Sequence, residues 1–371
     1  MAASARVAYL ARRASDYGVE TGSVKVNMAQ VRDRKQGIVE RFRKGAEGSV
    51  ESTENLDLIR GEASFIGART VKIERAGSEA LHLGSEKIFI NTGAKPVIPP
   101  IDGLDQVSFL DSTSVMGLNS LPKHLVIVGG GYVAIEFGQM FRRYGSQVTI
   151  IERGEQLLGR EDSDIAEEVG KILTEDGIDV RLQVKASRVE KNQKGETQLT
   201  LSGHDNEVTI RGSHLLIAAG RRPNTDRLNL GAAGVETDEK GYVKVNERLE
   251  TNVPGIYAIG DIKPGPAFTH ISYDDFRIIQ ANVLQGGNAR IDGRQVPYTI
   301  FMDPQLGRVG LTEKEARAGP LHPGWSGCER IFKAETWSFS WFMCARRILA
   351  SAIPRIKHWS KKYATQRPSP S

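Results

Sequence analysis

The stretch VIVGGGYVAIEFG, residues 126–138, decides the fold prediction. An apolar run typical of a β-strand ends at Val128, and three glycines separate it from a run of helical character. The pattern Gly129-x-Gly131-x-x-Ala134 between a strand and a helix is typical of a dinucleotide-binding turn. Gly129 allows the tight turn, Gly131 lets the backbone approach a diphosphate, and Ala134 lets the helix pack closely on the strand. The helix N-terminus adds free N–H groups and a partial positive charge.

An acidic residue stands where the next strand is predicted to end. Glu152 directly follows the apolar run QVTII. The number of residues between Gly131 and Glu152 is one at which a carboxylate can accept hydrogen bonds from the ribose of an adenosine. A carboxylate there repels a 2′-phosphate and favours NAD. Arg153 leaves NADP open, because a guanidinium binds phosphate. The structural alternative for Glu152 is a solvated carboxylate at a strand end.

Strands and helices alternate around this unit. Residues 121–183 read as strand, helix, strand, helix, strand, with helices predicted at 132–144 and 162–177. Such alternation requires crossover connections and produces a parallel sheet covered by helices. The sequence therefore predicts an α/β fold.

The N-terminal part of the chain has a different pattern. A helix is predicted over residues 4–17, ended by Gly18, and a second over 28–45, capped by Asn27. Short strands are predicted in the stretches LDLIRGEASFIG, TVKIE, EALHLG and EKIFINTG.

Two segments that lie far apart in the chain share one pattern. IFINTGAKP at 88–96 and LLIAAGRRP at 215–223 each consist of an apolar strand, a small residue, a glycine, two further residues and a proline. Gly93 then corresponds to Gly220. The repetition predicts two related nucleotide-binding halves, each with a strand that ends beside a ligand.

A further short strand, in TNVPGIYAIGD at 251–261, ends in Gly260-Asp261. A carboxylate at the C-terminal end of a strand points into the ligand crevice of an open α/β sheet. The alternative is an ordinary Gly-Asp turn without a ligand.

Five segments, read in chain order, resemble one family. These segments are NTGAKP (91–96), GGGYVAIEFG (129–138), AAGRRPN (218–224), NVPGIYAIGD (252–261) and FMDPQLGRVGLTEKEA (301–316). Together they resemble the flavoprotein pyridine nucleotide-disulfide oxidoreductases, such as dihydrolipoamide dehydrogenase, glutathione reductase and mercuric reductase. AFTHISYDDFRI at 267–278 most resembles the mercuric-reductase-like branch. The resemblance spans roughly residues 4–319. It implies two Rossmann-like three-layer domains for FAD and NAD(P), the first incomplete, and the start of an α+β dimerisation domain.

The resemblance implies specific cofactor-binding residues. The nicotinamide cofactor would contact Gly129, Gly130, Gly131, Tyr132, Val133, Ala134, Glu136, Glu152 and Gly220. FAD would contact Ala63, Thr92, Gly93, Asp261, Ala267, Phe268, Thr269 and His270. Asp261 would hold the ribityl chain. Glu136 would lie near the nicotinamide, where the family pairs it with a lysine. No catalytic residue and no metal ligand is predicted.

Several family features have no counterpart in the sequence. No Gly-x-Gly-x-x-Gly precedes residue 100, and no cysteine precedes Cys328. The family's Cys-x4-Cys helix, the lysine partner of Glu136 and the later His-Pro-Thr…Glu segment are not recognisable. We therefore expect a chain that is truncated at both ends and lacks the redox-active cysteine pair. Such a chain would have no cysteine pair to attack a disulfide, because that attack requires a thiolate.

Composition changes sharply near residue 320. All four Trp and both Cys follow it, and the segment from Leu321 carries nine Lys or Arg and two acidic residues. The overall charge of +5 comes from this segment, so nucleic-acid binding is not predicted. We predict these parts: a partial FAD-binding domain (1–112), an NAD(P)-binding domain (113–240), a return segment of the FAD domain (241–295), the start of the dimerisation domain (296–319) and an atypical tail (320–371).

The sequence predicts a protein that uses small-molecule cofactors. It has no apolar run of the roughly 18 residues that a membrane span requires, and its cysteine usage fits a reducing cytoplasm. The resemblance implies a homodimer, although the dimerisation domain is incomplete here. The predicted function is an oxidoreductase that passes a hydride from NAD(P)H to FAD. The alternatives are a non-catalytic NAD(P)H-binding module and an inactive truncated gene product.

Overall fold

The computed structural model describes residues 1–193, 195–203 and 207–318. The predicted atypical tail, with both cysteines and all four tryptophans, lies outside the described residues. The chain divides into two compact units, Met1–Arg308 and Val309–Ser371. The described part of the second unit is residues 309–318.

The described residues form six α-helices: α1 Ala2–Arg12, α2 Met28–Glu51, α3 Tyr132–Tyr144, α4 Ser163–Glu175, α5 Thr269–Ile279 and α6 Glu313–Ala318. Sixteen strands are described: β1 Glu62–Gly67, β2 Thr70–Glu74, β3 Leu81–Gly84, β4 Ile88–Ile90, β5 Ala94–Pro96, β6 His124–Val128, β7 Gln147–Ile151, β8 Asp179–Arg181, β9 Lys185–Lys191, β10 Thr197–Ser202, β11 Val208–Gly212, β12 His214–Ile217, β13 Arg221–Pro223, β14 Ile256–Ala258, β15 Tyr298–Ile300 and β16 Leu306–Arg308. Short 3₁₀ turns include Ala14–Tyr17 and Gly260–Ile262.

A four-stranded parallel sheet carries the glycine turn. Its order is β12-β6-β7-β8, and all three strand pairs are parallel. Both faces are buried: Leu125 and Ile127 belong to one core cluster, whereas Val126 between them belongs to another. This arrangement confirms the predicted α/β fold and explains the uninterrupted apolar run of β6, because a strand covered on both faces needs no polar residues.

An antiparallel sheet, β11-β10-β9, follows β8. Thr197, Leu199 and Leu201 of β10 are buried, and the residues between them are partly exposed. Leu199 and Leu201 join the same core cluster as Val126. The alternation is typical of a sheet with one face on the core and the other towards solvent.

A second, smaller parallel pairing joins distant parts of the chain. β14 pairs with β4, with Tyr257 opposite Phe89. Ile90, Ile256 and Ala258 pack into a separate core with residues of the three-stranded antiparallel sheet β1-β2-β3, including Phe65. In the described residues this parallel sheet has two strands.

The two segments with the shared sequence pattern pair with each other. β5 and β13 are antiparallel, and Lys95 faces Arg222, its counterpart in the repeated pattern. The Val97 N–H donates to the Gly220 carbonyl at 2.9 Å, and the Asn224 N–H donates to the Gly93 carbonyl at the same distance. The two hydrogen bonds are therefore related by a local two-fold axis. In each, the residue that follows the proline of one segment donates to the glycine of the other segment.

The N-terminal helices differ in part from the prediction. α1 ends at Arg12, and the last predicted turn is the 3₁₀ turn Ala14–Tyr17 before Gly18. Asn27 caps α2 through its side chain, as predicted, but the helix continues past Gly45 to Glu51. Glycine lowers helix stability by about 1 kcal/mol without forbidding the conformation, so the predicted end was too early.

Two further boundaries are resolved by the structure. The predicted strand in 56–67 begins only at Glu62, since the preceding residues pair with no strand in the described chain. α3 has the predicted bounds and ends at Gly145, which adopts the left-handed conformation. Among the described residues, none of the helices has the length and apolar character needed to cross a membrane.

A capping box begins α6 in the second unit. The Thr312 N–H donates to Glu315 Oε2 at 2.8 Å, and the Glu315 N–H donates to Thr312 Oγ1 at 3.0 Å. Two amides that a helix start leaves without helical partners are thereby satisfied.

Candidate functional site

The glycine turn after β6 is shaped by the backbone of a neighbouring strand. Gly129 has φ +119°, and a Cβ atom there would lie 2.4 Å from the Ala218 carbonyl oxygen. The Gly129 N–H donates to the Ile151 carbonyl at 2.8 Å. Glycine is required at this position for two reasons, the positive φ and the lack of room.

The next two glycines differ from Gly129 in their surroundings. A Cβ at Gly130 would lie 2.8 Å from the Glu152 side chain, whereas one at Gly131 would have no atom within 4 Å. Gly131 is the N-cap of α3 and has no side chain to accept from the first amides of that helix, those of Tyr132, Val133 and Ala134. Open space before an uncapped helix start suits a diphosphate.

Glu152 holds this turn through both carboxylate oxygens. Oε2 accepts the Gly130 N–H at 2.6 Å, and Oε1 accepts the Gly154 N–H at 2.7 Å. The Leu158 N–H donates to the Gly130 carbonyl at 2.9 Å. Both polar groups of Gly130 are therefore bound by the segment that follows β7. This role of Glu152 was not predicted from the sequence.

Glu136 lies on α3, one turn inside the helix. Its Oε1 accepts the Phe301 main-chain N–H at 2.9 Å. Burial raises the pKa of Glu136 above its ordinary value, although the Phe301 N–H acts in the opposite direction. The family resemblance implies a lysine as the partner of Glu136. Among the described residues, its hydrogen-bond partner is instead the main-chain N–H of Phe301.

Asp261 lies in the turn after β14, close to the repeated segment. Its Oδ2 is 4.0 Å from Arg221 Nη2, and Arg221 also donates to the Ala94 carbonyl at 2.6 Å. Burial raises the pKa of Tyr132, and the charges of Arg221, Asp261 and Glu136 act on the same hydroxyl. Tyr132 therefore lies among residues that the sequence assigned to two different cofactors.

Aromatic rings connect the glycine turn to the segment Ala267–His270. The Phe268 ring is 6.3 Å from Tyr132 and is stacked on Tyr298 at 5.3 Å and on His270 at 5.4 Å, measured between ring centroids. Thr269 and His270 are exposed and begin α5, and Ala267 precedes them.

Of the remaining predicted site residues, Thr92, Gly93 and Gly220 lie at the β5–β13 pair, whereas Ala63 lies on β1. Thr92 Oγ1 donates to the Asn224 carbonyl at 3.2 Å, and Gly93 and Gly220 flank the β5–β13 pair. Ala63 is exposed on β1, where it faces Ile73 of β2.

Two polar clusters were missed by the sequence analysis. Lys263, Asp275 and Arg294 form a buried ionic cluster next to Asp261. Burial and a hydrogen bond to Glu161 raise the pKa of Tyr298 to about 12, and Arg308 pairs with Glu161. The three residues of the first cluster lie apart in sequence, and no local pattern predicted their association. Within the described part of the chain, no group of three or more His, Cys, Asp or Glu is arranged to hold a metal ion.

Comparison with known proteins identifies the family. A model of the pyridine nucleotide-disulphide oxidoreductases matches residues 7–275. The chain belongs to this family. The match confirms the resemblance seen in the sequence, and the family uses FAD and NAD(P)H.

Individual members of the pyridine nucleotide-disulphide oxidoreductase family are similar over most of the chain. RclA of Escherichia coli, a probable pyridine nucleotide-disulfide oxidoreductase, is 40% identical over 76% of this chain and 64% of its own length. Mercuric reductase of Staphylococcus aureus is 37% identical over 81% of this chain and 54% of its own. Dihydrolipoyl dehydrogenase of Geobacillus stearothermophilus is 32% identical over 83% of this chain and 64% of its own.

A solved member of the family has the same fold. The Cu(II) complex of the HOCl-induced flavoprotein disulfide reductase RclA from Escherichia coli matches with a TM-score of 0.74 and 37% identity, over 84% of this chain and 68% of that one. The chain thus spans about half to two thirds of the length of the relatives that it matches.

Proposed function

We propose that this chain binds NAD(P)H and FAD side by side and is an oxidoreductase that moves electrons from the first to the second. The observation that carries the proposal is the position of Tyr132, which begins the helix after the glycine turn and lies 6.3 Å from Phe268 in the predicted flavin segment. Tyr132, predicted for the nicotinamide site, and Phe268, predicted for the flavin site, therefore lie close together within Met1–Arg308.

Main-chain groups would bind the nicotinamide cofactor. The first amides of α3 would donate to its diphosphate, in the open space before Gly131. Glu152 would exchange one of its main-chain partners for a ribose hydroxyl. Because its carboxylate repels a 2′-phosphate, we propose NAD in preference to NADP. Gly220 would complete this site.

A carboxylate and a helix start would bind the flavin. Asp261 would accept hydrogen bonds from the ribityl hydroxyls, and Ala267–His270 would line the ring. The uncapped start of α5 fits an electron-rich part of the ring system, since a helix N-terminus stabilises negative charge. Thr92, Gly93 and Ala63 are proposed to lie near the adenosine side.

The residues of this chain would position the two groups and control water between them. When both are bound, the nicotinamide supplies electrons that the flavin accepts. Glu136, partly buried and hydrogen-bonded to the Phe301 N–H, would orient the nicotinamide ring. Tyr132 and Phe268 would cover the space between the sites and exclude water.

We further propose that this chain, tested by itself, reduces neither disulfides nor Hg(II). Cys328 is its first cysteine, and the second, Cys344, follows at a spacing unlike that of the family's dithiol. Reduction of either substrate requires a reactive thiolate near the flavin.

The proposal includes the organisation predicted from the sequence. Four further statements remain predictions of the same account. They are the domain boundaries near residues 112, 240, 295 and 319, a family-type homodimer, the absence of a nucleic-acid partner and a cytoplasmic location.

The experiment is a stepwise titration of the purified full chain. We expect calorimetry to detect saturable binding of FAD and of NADH, and anaerobic NADH to bleach the visible absorbance of the bound flavin. Lipoamide and Hg(II) should not be reduced. A folded chain that binds neither cofactor, or that reduces lipoamide with NADH, would contradict the proposal.

A further inference from the structure

A buried carboxylate lies behind the proposed flavin-binding turn. Asp275, on the second turn of α5, has no exposed side-chain surface. Its Oδ2 accepts the Gly260 N–H at 2.9 Å and lies 3.0 Å from Lys263 Nζ, while Oδ1 lies 2.6 Å from Arg294 Nη1. Both oxygens thus have partners.

The Gly260 amide has a special need for this partner. β14 ends at Ala258, and Gly260 begins the 3₁₀ turn with φ +70°, so its N–H leaves the strand pairing. A Cβ at Gly260 would lie 2.8 Å from Asn91 Oδ1, so the turn is tightly enclosed. A buried N–H without an acceptor costs about 1–3 kcal/mol.

Burial of the ionic cluster carries a large desolvation cost. The Lys263 side chain is 1% exposed, and burial lowers its pKa even though Asp275 raises it. Burying a charged pair costs desolvation energy that the pair's attraction often only balances, and apolar residues of similar volume often stabilise a core as well. The cluster is therefore weak evidence for a role in stability alone.

The cluster joins the two elements that would contact the flavin. Asp261 immediately follows Gly260, and its carboxylate is partly exposed. Thr269 and His270 form the first turn of α5, the helix that carries Asp275. One carboxylate thereby fixes the distance from the Asp261 turn to the start of α5.

We propose that Asp275 is a positioning residue for flavin binding: through the Gly260 N–H and the Lys263 and Arg294 side chains, it holds Asp261 and the N-terminus of α5 at the spacing that FAD requires. This inference rests on the proposed function. Asp275 is not expected to touch FAD.

The test compares two adjacent acids of the same helix. Asp275→Ala removes the buried carboxylate, whereas Asp274→Ala removes a half-exposed one that only makes a 3.4 Å ion pair with Arg294. Asp275→Asn keeps an oxygen for the Gly260 N–H. For each full-length variant, calorimetry gives the dissociation constants of FAD and NADH, and thermal unfolding gives the midpoint. NADH serves as an internal control, since its proposed site lies on α3.

We expect Asp275→Ala to weaken FAD binding about tenfold or more, because the Gly260 N–H, Lys263 and Arg294 all lose their common partner, with NADH binding unchanged. Asp275→Asn should restore part of the affinity, because it keeps an acceptor for the Gly260 N–H but not the charge that pairs with Lys263 and Arg294. Asp274→Ala should resemble the unaltered chain. Equal FAD affinity in the two alanine variants would overturn the inference. So would parallel losses of FAD and NADH affinity, or an asparagine variant as weak as the alanine one. If the unaltered chain binds no FAD, the proposed function fails as well.

Discussion

The two parallel sheets of Met1–Arg308 hold their candidate sites in different ways. The four-stranded sheet β12-β6-β7-β8 is buried on both faces, and its turn is fixed by main-chain contacts around Gly129. The β4–β14 pair has two described strands, and a buried ionic cluster fixes the turn that contains Asp261.

The difference suggests that a wide sheet can position a ligand turn by backbone geometry alone. Ile127 lies between Ile150 and Leu216 on paired strands, so the end of β6 is supported from both sides. Ile90 of β4 has a paired strand on one side among the described residues. The end of β14 then depends on side chains such as Asp275.

The largest effect is expected from Gly129→Ala. The new methyl group would meet the Ala218 carbonyl at 2.4 Å and would require a positive φ, so we expect a loss of about 3 kcal/mol in the free energy of unfolding. Urea unfolding measures it. Gly131→Ala is the control, since φ is negative there and the space is open; its stability should change by less than about 0.5 kcal/mol. Equal stabilities would show that the turn is not fixed by the backbone.

Hydrogen exchange tests the comparison of the two sheets directly. Amides of β6 should exchange only by global unfolding, whereas amides of β4 should open locally and exchange about tenfold faster or more, because β4 is paired on one side and Phe89 is exposed. Mass spectrometry after proteolysis resolves the two strands. Equal protection would remove the distinction.

Glu152→Ala should have an intermediate effect. The variant leaves the Gly130 and Gly154 amides without their acceptor and removes the proposed ribose partner, so NADH affinity should fall about tenfold. The preference for NADH over NADPH should narrow, because the repulsion of a 2′-phosphate is lost. Glu155→Ala, an exposed acid of the same loop, is the matched control. An unchanged preference would contradict the assigned role.

The smallest effect concerns the pH dependence of Glu136. Its pKa is raised by burial, so the folded state binds more protons than the unfolded chain between the unfolded value of about 4.3 and the raised folded value. The unaltered chain should therefore lose stability as pH rises through that window. Glu136→Gln cannot ionise, so its stability relative to the unaltered chain should increase there, by up to about 1 kcal/mol. Urea unfolding at several pH values measures this, and a difference independent of pH would be the contrary result.

The sequence was most informative where local rules act alone. α3 was predicted with its observed bounds, because a glycine turn begins it and Gly145 ends it. The parallel sheet followed from the alternation of strands and helices. The repeated segment predicted two related halves, but not that Lys95 and Arg222 would face each other, since strand pairing depends on distant segments.

Tertiary contacts explain what the sequence analysis missed. The ribose contact of Glu152 stays a prediction. The sequence did not reveal that its oxygens accept the Gly130 and Gly154 N–H groups, a contact that requires the fold of the loop after β7. Lys263, Asp275 and Arg294 lie apart in sequence and read as ordinary surface charges. Burial turns them into one cluster, and no local pattern reveals burial of that kind.

NADH binding by the unaltered chain and by Gly131→Ala is the most direct test of the central claim, that the glycine turn binds a dinucleotide diphosphate. We predict that calorimetry detects saturable binding to the unaltered chain, and that the variant unfolds at the same temperature but binds at least about tenfold more weakly, because a methyl group occupies the diphosphate's space. A variant that binds NADH as well as the unaltered chain, or a folded unaltered chain that ignores NADH and NADPH alike, would contradict the account.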